Sequence, residues 1–310
     1  MPELPEVETV CRGLSNMIAG KILARVVMRR TNLRRPIPAD LSTRVAGMRL
    51  VTVTRRAKYI LLNFVGGGLE SHSAAKKSPD AVTVLIHLGM SGRILVTKPT
   101  PLSDSQNPQT ETAYAKHDHV EFIFADATRM IFNDPRRFGL IDWAATADLS
   151  AHPLLAGLGP EPLSDQFSQA YLRNVLAGKK TTIKSALLDQ YGVVGLGNIY
   201  VCEALFHARI SPLRLAHEVK ADEIKPLHAA IQKVLQSAIA AGGSSWRDYA
   251  KPDGDLGYFQ TMTKVYGREG EKCLGGKNPG KNYMGKKCQD KIVRQMQSGR
   301  SSFFCPSCQK

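Results

Sequence analysis

The chain has 310 residues, 43% of them hydrophobic, with 42 lysines and arginines against 27 acidic residues, a net charge of +15. That length supports two modest domains with cores of their own, and the charge points to a polyanionic partner, either nucleic acid or an anionic membrane surface. No run of 18 apolar residues occurs, and the start MPELPEVE is acidic where a signal peptide would be basic and then apolar. These features argue against a membrane protein and predict a cytoplasmic, nucleoid-associated one.

In chain order, Val7, Val10, Cys11 and Leu14 fall at helical spacing and predict an N-terminal helix. Alternating β-branched stretches follow at 49–64, 82–96 and 119–132, with no helical pattern between them. Short strands in such a series predict an antiparallel sandwich or barrel. Two segments rich in Gly, Ser, Pro, Lys and Gln, 66–81 and 98–116, read as loops. From about residue 165 the period turns helical, over 166–176, 182–190, 198–208 and 222–241, the last ending at Gly242-Gly243. Between the middle helices, YGVVGLG (191–197) offers three glycines for positive φ and close backbone approach, with Asn198 as an N-cap candidate. Its two readings are a phosphate site at a helix start and a tight connection between helices.

The last 47 residues hold 11 lysines and arginines against 3 acidic residues, so this tail reads as a contact module. Four of the six cysteines, Cys273, Cys288, Cys305 and Cys308, crowd into it, and in a reducing compartment such a cluster suggests metal ligation. Its C-x-x-C at 305–308 is half of a zinc ribbon. Cys11 and Cys202 lie inside apolar helical patterns and read as buried packing residues.

Pro2, with Met1 removed, would carry a free secondary amine. An α-amino group titrates near ~8, about two units below lysine, so a useful fraction is neutral and nucleophilic at pH 7. Attack of such an amine on a sugar C1′ yields an iminium ion, an electron sink, and Glu3 and Glu6 could move the protons this chemistry demands. Proline and glutamate equally suit the first turn of any helix.

PELPEVETV at the N-terminus resembles the signature of the bacterial formamidopyrimidine-DNA glycosylases. The likeness continues in family order through RRAKYILL (55–62), HLGMSGRI (87–94), KHDHVEF (116–122), DPRRFG (134–139), LGPEPL (158–163), IKSALLDQ (183–190), GLGNIYVCEALF (195–206), GYFQ (257–260), VYGREGE (265–271) and SGRSSFFCPSCQ (298–309).

The resemblance implies that Pro2 is a Schiff-base nucleophile, Glu3 the proton donor for base release, Glu6 a supporting carboxylate, and Lys58 a participant in β-elimination. It implies that Met90, Arg136 and Phe138 fill the gap left by an extruded nucleotide. His117, Lys179, Lys184 and Asn198 are then DNA contacts, and Arg300 a hairpin residue acting in δ-elimination. Read apart from the family, Lys58 and Lys179 are solvated lysines, Met90 and Phe138 core residues, Arg136 a phosphate contact and His117 a surface or core histidine.

The implied fold is α+β, an N-terminal β-sandwich (1–150) with a catalytic N-terminal helix, then a helical helix-two-turn-helix domain (151–256) and a zinc-finger hairpin (257–310). The implied activity is excision of oxidised purines, 8-oxoguanine and formamidopyrimidines, from double-stranded DNA, with lyase cleavage by β,δ-elimination. A monomer with one structural Zn²⁺ and no organic cofactor is expected.

The sequence departs from the family at the finger, where 14 residues rather than two separate Cys273 from Cys288. The long connection at 66–81 is a second departure. Two rivals remain: an endonuclease VIII-like enzyme acting on pyrimidines, which Leu4 and DPRRFG disfavour, and a non-catalytic zinc-finger binder, which would need none of Pro2, Glu3, Glu6 and Lys58.

Overall fold

The computed structural model describes residues 2–66, 81–97, 115–244, 258–275 and 288–310. The chain divides into two compact units, Met1–Ala156 with Gly242–Gly257 and Gly157–Ala241 with Tyr258–Lys310. Nearly all of the two expected loops, the segment after Ser244 and most of the 274–287 insertion lie outside the described residues.

The first unit opens with α1 (Leu4–Ile18), whose Leu4, Val7, Val10, Cys11, Leu14 and Ile18 recur every three or four residues and are all buried. There follow β1 (Leu23–Met28), α2 (Leu41–Val45), β2 (Arg49–Arg56), β3 (Tyr59–Val65), β4 (Ala81–His87), β5 (Arg93–Thr97), β6 (Asp118–Phe124), β7 (Arg129–Asn133) and β8 (Leu140–Ala145). The strands form two four-stranded sheets, in the orders β1-β6-β7-β5 and β2-β3-β4-β8. Every pairing within them is antiparallel. Leu14, Leu41, Leu62, Ile86, Phe122 and Phe132, drawn from both helices and both sheets, share one core. The predicted sandwich is therefore present.

All three predicted stretches resolve into two strands each; 119–132 becomes the hairpin β6-β7, with Ala127 at φ 63° in its turn. The 49–64 alternation becomes the hairpin β2-β3, turning at Ala57-Lys58, with Ala57 at φ 52°. The 82–96 alternation splits between the two sheets, because Gly89, at φ 63°, turns the chain within HLGMSG.

α1 packs on β2 and β3. The Cys11 thiol donates to the Thr54 carbonyl (3.2 Å), and Arg55 Nε donates to Glu8 Oε2 (3.0 Å). Burial, reinforced by the Glu8 charge, pushes the Cys11 thiol up to about 12, so this cysteine packs and does not react.

The second unit contains α3 (Gln169–Leu176), α4 (Ile183–Leu188), α5 (Asn198–Ala208), α6 (Ala221–Ala240) and the hairpin β9 (Val293–Gln297)–β10 (Arg300–Phe304). The Ser168 and Thr182 side chains cap α3 and α4 by accepting from the Tyr171 and Ser185 backbone N–H groups. α5 is buried from Ile199 through Phe206 and packs on α6, β10 and α4.

Gln190 stitches the turn between α4 and α5. Its amide donates to the Leu188 and Leu196 carbonyls (3.0 Å each), and its Oε1 accepts from the Gly195 N–H (2.8 Å). Of the three glycines here, only Gly195 takes a positive φ, at 79°. The N-cap of α5 is Gly197, in extended conformation, and not Asn198, which is the first helical residue. The Asn198 side chain is turned to the hairpin instead.

Glu203 of α5 is buried and accepts from three successive backbone N–H groups, Lys264 (2.8 Å), Val265 (3.0 Å) and Tyr266 (2.9 Å). Burial raises its pKa against the pull of those donors. Glu203→Ala would leave three backbone donors, that of buried Val265 among them, without their acceptor, so a loss of about 3–5 kcal/mol in unfolding free energy is expected. Glu203→Gln, keeping one acceptor, should lose less. Denaturant titration checks both, and an alanine variant within about 1 kcal/mol of wild type would remove Glu203 from this role. Among the described residues no helix is long and apolar enough to cross a membrane.

Candidate active site and nucleic-acid contacts

Pro2 and Glu3 lead into α1, with Glu3 as its N-cap, and both are buried. The Glu3 N–H donates to Glu6 Oε2 (2.8 Å), so the Glu6 carboxylate fixes the peptide joining Pro2 to Glu3. The other oxygen, Glu6 Oε1, accepts from the Ser244 N–H (2.8 Å) and hydroxyl (3.0 Å). Gly243 at φ 79° allows this approach; a Cβ there would lie 3.1 Å from Glu6 Cγ. Glu6, 2% exposed, is held by three donors, which suits a group that orients its neighbours. Lys58, also buried, sits in the β2-β3 turn at the end of the hairpin on which α1 packs.

His87, at the end of β4, belongs to this region although the sequence reading passed over it. Its Nδ1 accepts from the Gly89 N–H (2.9 Å), and its ring lies 5.0 Å from that of Tyr59. Burial, with the Lys58 and Arg34 charges, pushes its pKa down to about 4, so the imidazole stays neutral among cations. Arg34, Arg35, Tyr59, His87 and Phe138 line one small pocket with Leu140 and Leu154. The available signal was a histidine two residues before the turn glycine of HLGMSG.

The folded His87 resists a proton that the unfolded chain accepts near pH 6.5, so stability should fall as pH drops from 6.5 to about 4. His87→Asn, which keeps an acceptor for Gly89, should flatten that slope by at most about 1.4 kcal/mol per pH unit. Denaturation curves at about pH 7, 5.5 and 4.5, spanning the window between the unfolded and folded pKa values, read it. Parallel slopes for the two proteins would contradict it.

Asp134, fully buried, builds the DPRRFG loop. Its carboxylate accepts from the Ser91 hydroxyl (2.6 Å) and the Arg136 (3.3 Å) and Gly139 (2.8 Å) N–H groups, and its carbonyl meets His119 Nε2 (2.8 Å). A Cβ on Gly89 would lie 2.4 Å from the Phe138 carbonyl carbon, so only glycine lets this loop meet HLGMSG. Met90 (38% exposed) and Phe138 (44% exposed) are thus displayed on touching loops, and the Arg136 guanidinium lies 4.8 Å over the Phe138 ring. Core packing is excluded for both apolar residues. His117 takes φ 80°, and its carbonyl accepts from the Asp134 N–H (3.1 Å).

In the second unit Lys179 forms a half-exposed ion pair with Asp189 (3.2 Å). Lys184 and Asn198 converge on the Ser301 carbonyl, each donating at 2.9 Å, and Lys184 also donates to Ser302 Oγ (2.7 Å). Arg300 is exposed and follows the hairpin turn Ser298-Gly299, both at positive φ (46° and 74°), as two-residue turns of this kind require.

The four tail cysteines converge, all sulfurs within 4.8 Å of one another. Cys273 and Cys308 stand 3.8 Å apart, Cys288 and Cys305 3.7 Å. Four thiolates around one tetrahedral ion with metal–sulfur bonds of ~2.3 Å would sit about 3.8 Å apart, so the donor set fits a single thiophilic ion. The Gly275 N–H donates to Cys273 Sγ (3.2 Å), and a Cβ at Gly275 would come within 3.0 Å of Cys308 Sγ. Behind the sulfurs, Cys202, Phe206, Val265 and Ile292 supply a small apolar core.

Two family models match, the formamidopyrimidine-DNA glycosylase N-terminal domain over residues 1–141 and the formamidopyrimidine-DNA glycosylase H2TH domain over residues 158–250. Both are domains of one class, DNA glycosylases. Over its whole length the chain is 48% identical to the formamidopyrimidine-DNA glycosylase of Dinoroseobacter shibae and 46% identical to that of Roseobacter denitrificans, each covered completely. The chain belongs to the formamidopyrimidine-DNA glycosylase family. Among solved structures it resembles a Lactococcus lactis Fpg mutant in complex with Fapy-dG-containing DNA (TM-score 0.81, 31% identity, both chains fully covered). It also resembles the MutM (Fpg) protein of Thermus thermophilus (TM-score 0.79, 35% identity, 99% and 98% covered).

Proposed function

We propose that this protein excises oxidised purines, 8-oxoguanine and formamidopyrimidines, from double-stranded DNA and then cleaves the strand as a lyase. The observation that carries the reading is the Glu6 carboxylate, which grips the Pro2–Glu3 peptide inside the protein and so aims the N-terminal nitrogen. The Pro2 imino nitrogen attacks C1′ as the base leaves, and the C1′–N bond forms as the glycosidic bond breaks. Glu3 supplies the proton for base departure, and Glu6 holds the geometry. Loss of the nitrogen proton and opening of the sugar ring at C1′–O4′, with O4′ taking a proton, leave an iminium that acidifies the C2′ hydrogen. Lys58 assists β-elimination, in which that proton is lost and the C3′–O bond breaks to release the 3′ phosphate, and Arg300 serves δ-elimination of the 5′ phosphate.

Excision requires the nucleotide to leave the stack, and exposed Met90 and Phe138 suit the vacated space while Arg136 addresses the orphaned base. His117, Lys179 and Asn198 are assigned to DNA contact. Lys184 contributes through the hairpin, whose Ser301 and Ser302 it holds. The four cysteines hold one Zn²⁺, which supplies no step of the reaction and fixes the hairpin. The protein acts as a monomer in the cytoplasm on damaged duplex; the Lactococcus lactis relatives are in complex with DNA containing Fapy-dG or an abasic site.

The test is incubation with an 8-oxoguanine duplex in the presence of borohydride, with mass mapping of the adduct. Reduction should fix the iminium as a stable C–N bond at residue 2; an adduct at any other residue, or none, would reject the mechanism. Glu3→Gln should lose base excision by about a hundredfold yet still cut a preformed abasic site, whose aldehyde needs no leaving-base proton. Equal loss of both activities would deny Glu3 its role.

A further inference from the structure

Lys184 lies on α4 with 1% of its surface exposed, and its ammonium is spent inside the protein. It donates to the Ser301 carbonyl (2.9 Å) and to Ser302 Oγ (2.7 Å), two residues that directly follow Arg300. The Asn198 amide of α5 donates to the same Ser301 carbonyl (2.9 Å). Ser302 Oγ in turn donates to Gln297 Oε1 on β9, and the Gln297 amide donates to the Pro212 carbonyl (3.1 Å). Both hairpin strands are thereby pinned to the helical part of the unit, on either side of the Ser298-Gly299 turn.

A two-stranded hairpin is marginal by itself, and an edge strand presents carbonyls that need partners. β10 is such an edge. The cysteine cluster fixes the hairpin only at its base, beyond Phe304, leaving the tip with Arg300 to be aimed by something else. We infer that Lys184, with Asn198 beside it, is the positioning residue of the hairpin: its buried ammonium holds Ser301 and Ser302 and so sets the direction of Arg300. The inference rests on the DNA-contact role proposed above for Arg300, but the tie itself is a property of the protein without DNA. A lysine acting from the surface on a phosphate would keep its ammonium at the surface; this one is enclosed.

The experiment compares full-length, zinc-loaded wild type, Lys184→Met, Ser302→Ala, Arg300→Ala and the double variant Lys184→Met/Arg300→Ala. Amide hydrogen exchange over 300–304 is read without DNA, and affinity for an abasic-analogue duplex is read across salt concentrations. Lys184→Met should speed exchange in that segment by about tenfold or more. It should weaken duplex binding by about tenfold alone and by less than about twofold once Arg300 is already alanine. Ser302→Ala should move both readouts the same way by less, and it guards against a misfolded methionine variant.

Unchanged exchange in Lys184→Met, with a binding loss that multiplies with that of Arg300→Ala and a salt slope shallower by about 0.9, would make Lys184 a direct phosphate contact and overturn the inference. No change in either readout would overturn it as well. If wild type failed to bind the duplex at all, the proposed function would fall, while the exchange data would still decide whether the tie exists.

Discussion

A protein that retains Met1 is expected to bind lesion-containing duplex with near wild-type affinity and to nick it roughly a thousandfold less, or not at all. With Met1 in place the Pro2 nitrogen is a tertiary amide whose lone pair is delocalised into the carbonyl, and it can neither attack C1′ nor form an iminium. Freed, it is an α-amine, a class of group that ordinarily titrates near ~8 and is less fully charged at pH 7 than a lysine. Among the described residues, the start of the fold is held by contacts that involve Glu3 and residues after it. α1 begins at Leu4, its cap is Glu3, and the Glu6 contacts run to Glu3 and Ser244. The change should therefore separate chemistry from binding. Intact-mass measurement of the N-terminus, run beside nicking and binding titrations on the same sample, decides it. Full nicking by a protein of proven Met1 content would transfer the nucleophile to another amine.

The sandwich was legible because alternation of apolar residues follows the pleat, and α1 because its apolar stripe follows the helical turn. Where one stretch covered two strands, the break fell at a turn that periodicity does not register, at Gly89, at Ala57-Lys58 and at 125–128, each with a residue at positive φ. The catalytic candidates were legible by resemblance, since Pro2, Glu3 and Glu6 fall within one short motif. What escaped was set by partners distant in the chain. Lys184 looks like any helix-end lysine until β10, more than a hundred residues on, closes over it. Asn198 has the composition of an N-cap, yet its amide is drawn to Ser301 and Gly197 takes the cap position. His87 carries no local mark of the Lys58 and Arg34 charges that keep it neutral.

Purified wild type should contain about one zinc per chain, and Cys273→Ser should lose both the metal and most of the DNA affinity, a fall of roughly a hundredfold or more. The unusual feature is the spacing, 14 residues between the first two cysteines. Closure entropy grows only logarithmically with loop length, so a long connection costs little more than a short one provided the sulfurs converge. They do converge, with pair separations of 3.7 and 3.8 Å against the ~3.8 Å of a tetrahedral thiolate site. Gly275 clears space beside them and donates a backbone N–H to Cys273 Sγ. The apolar support around the cluster is small, centred on Cys202, Phe206, Val265 and Ile292. A structural zinc in such a site contributes on the order of 10 kcal/mol, far more than those side chains can supply by burial. Losing it should free the hairpin that carries Arg300 while α1, its cap and the Glu6 contacts, all in the other unit, stay folded. Cys273→Ser should accordingly still form a borohydride adduct at residue 2 when an abasic duplex is supplied at high concentration. Metal analysis, a DNA titration and that trapping assay together decide the point. A zinc-free wild type that binds and cuts damaged duplex normally would mean that the convergent sulfurs serve the fold without a metal.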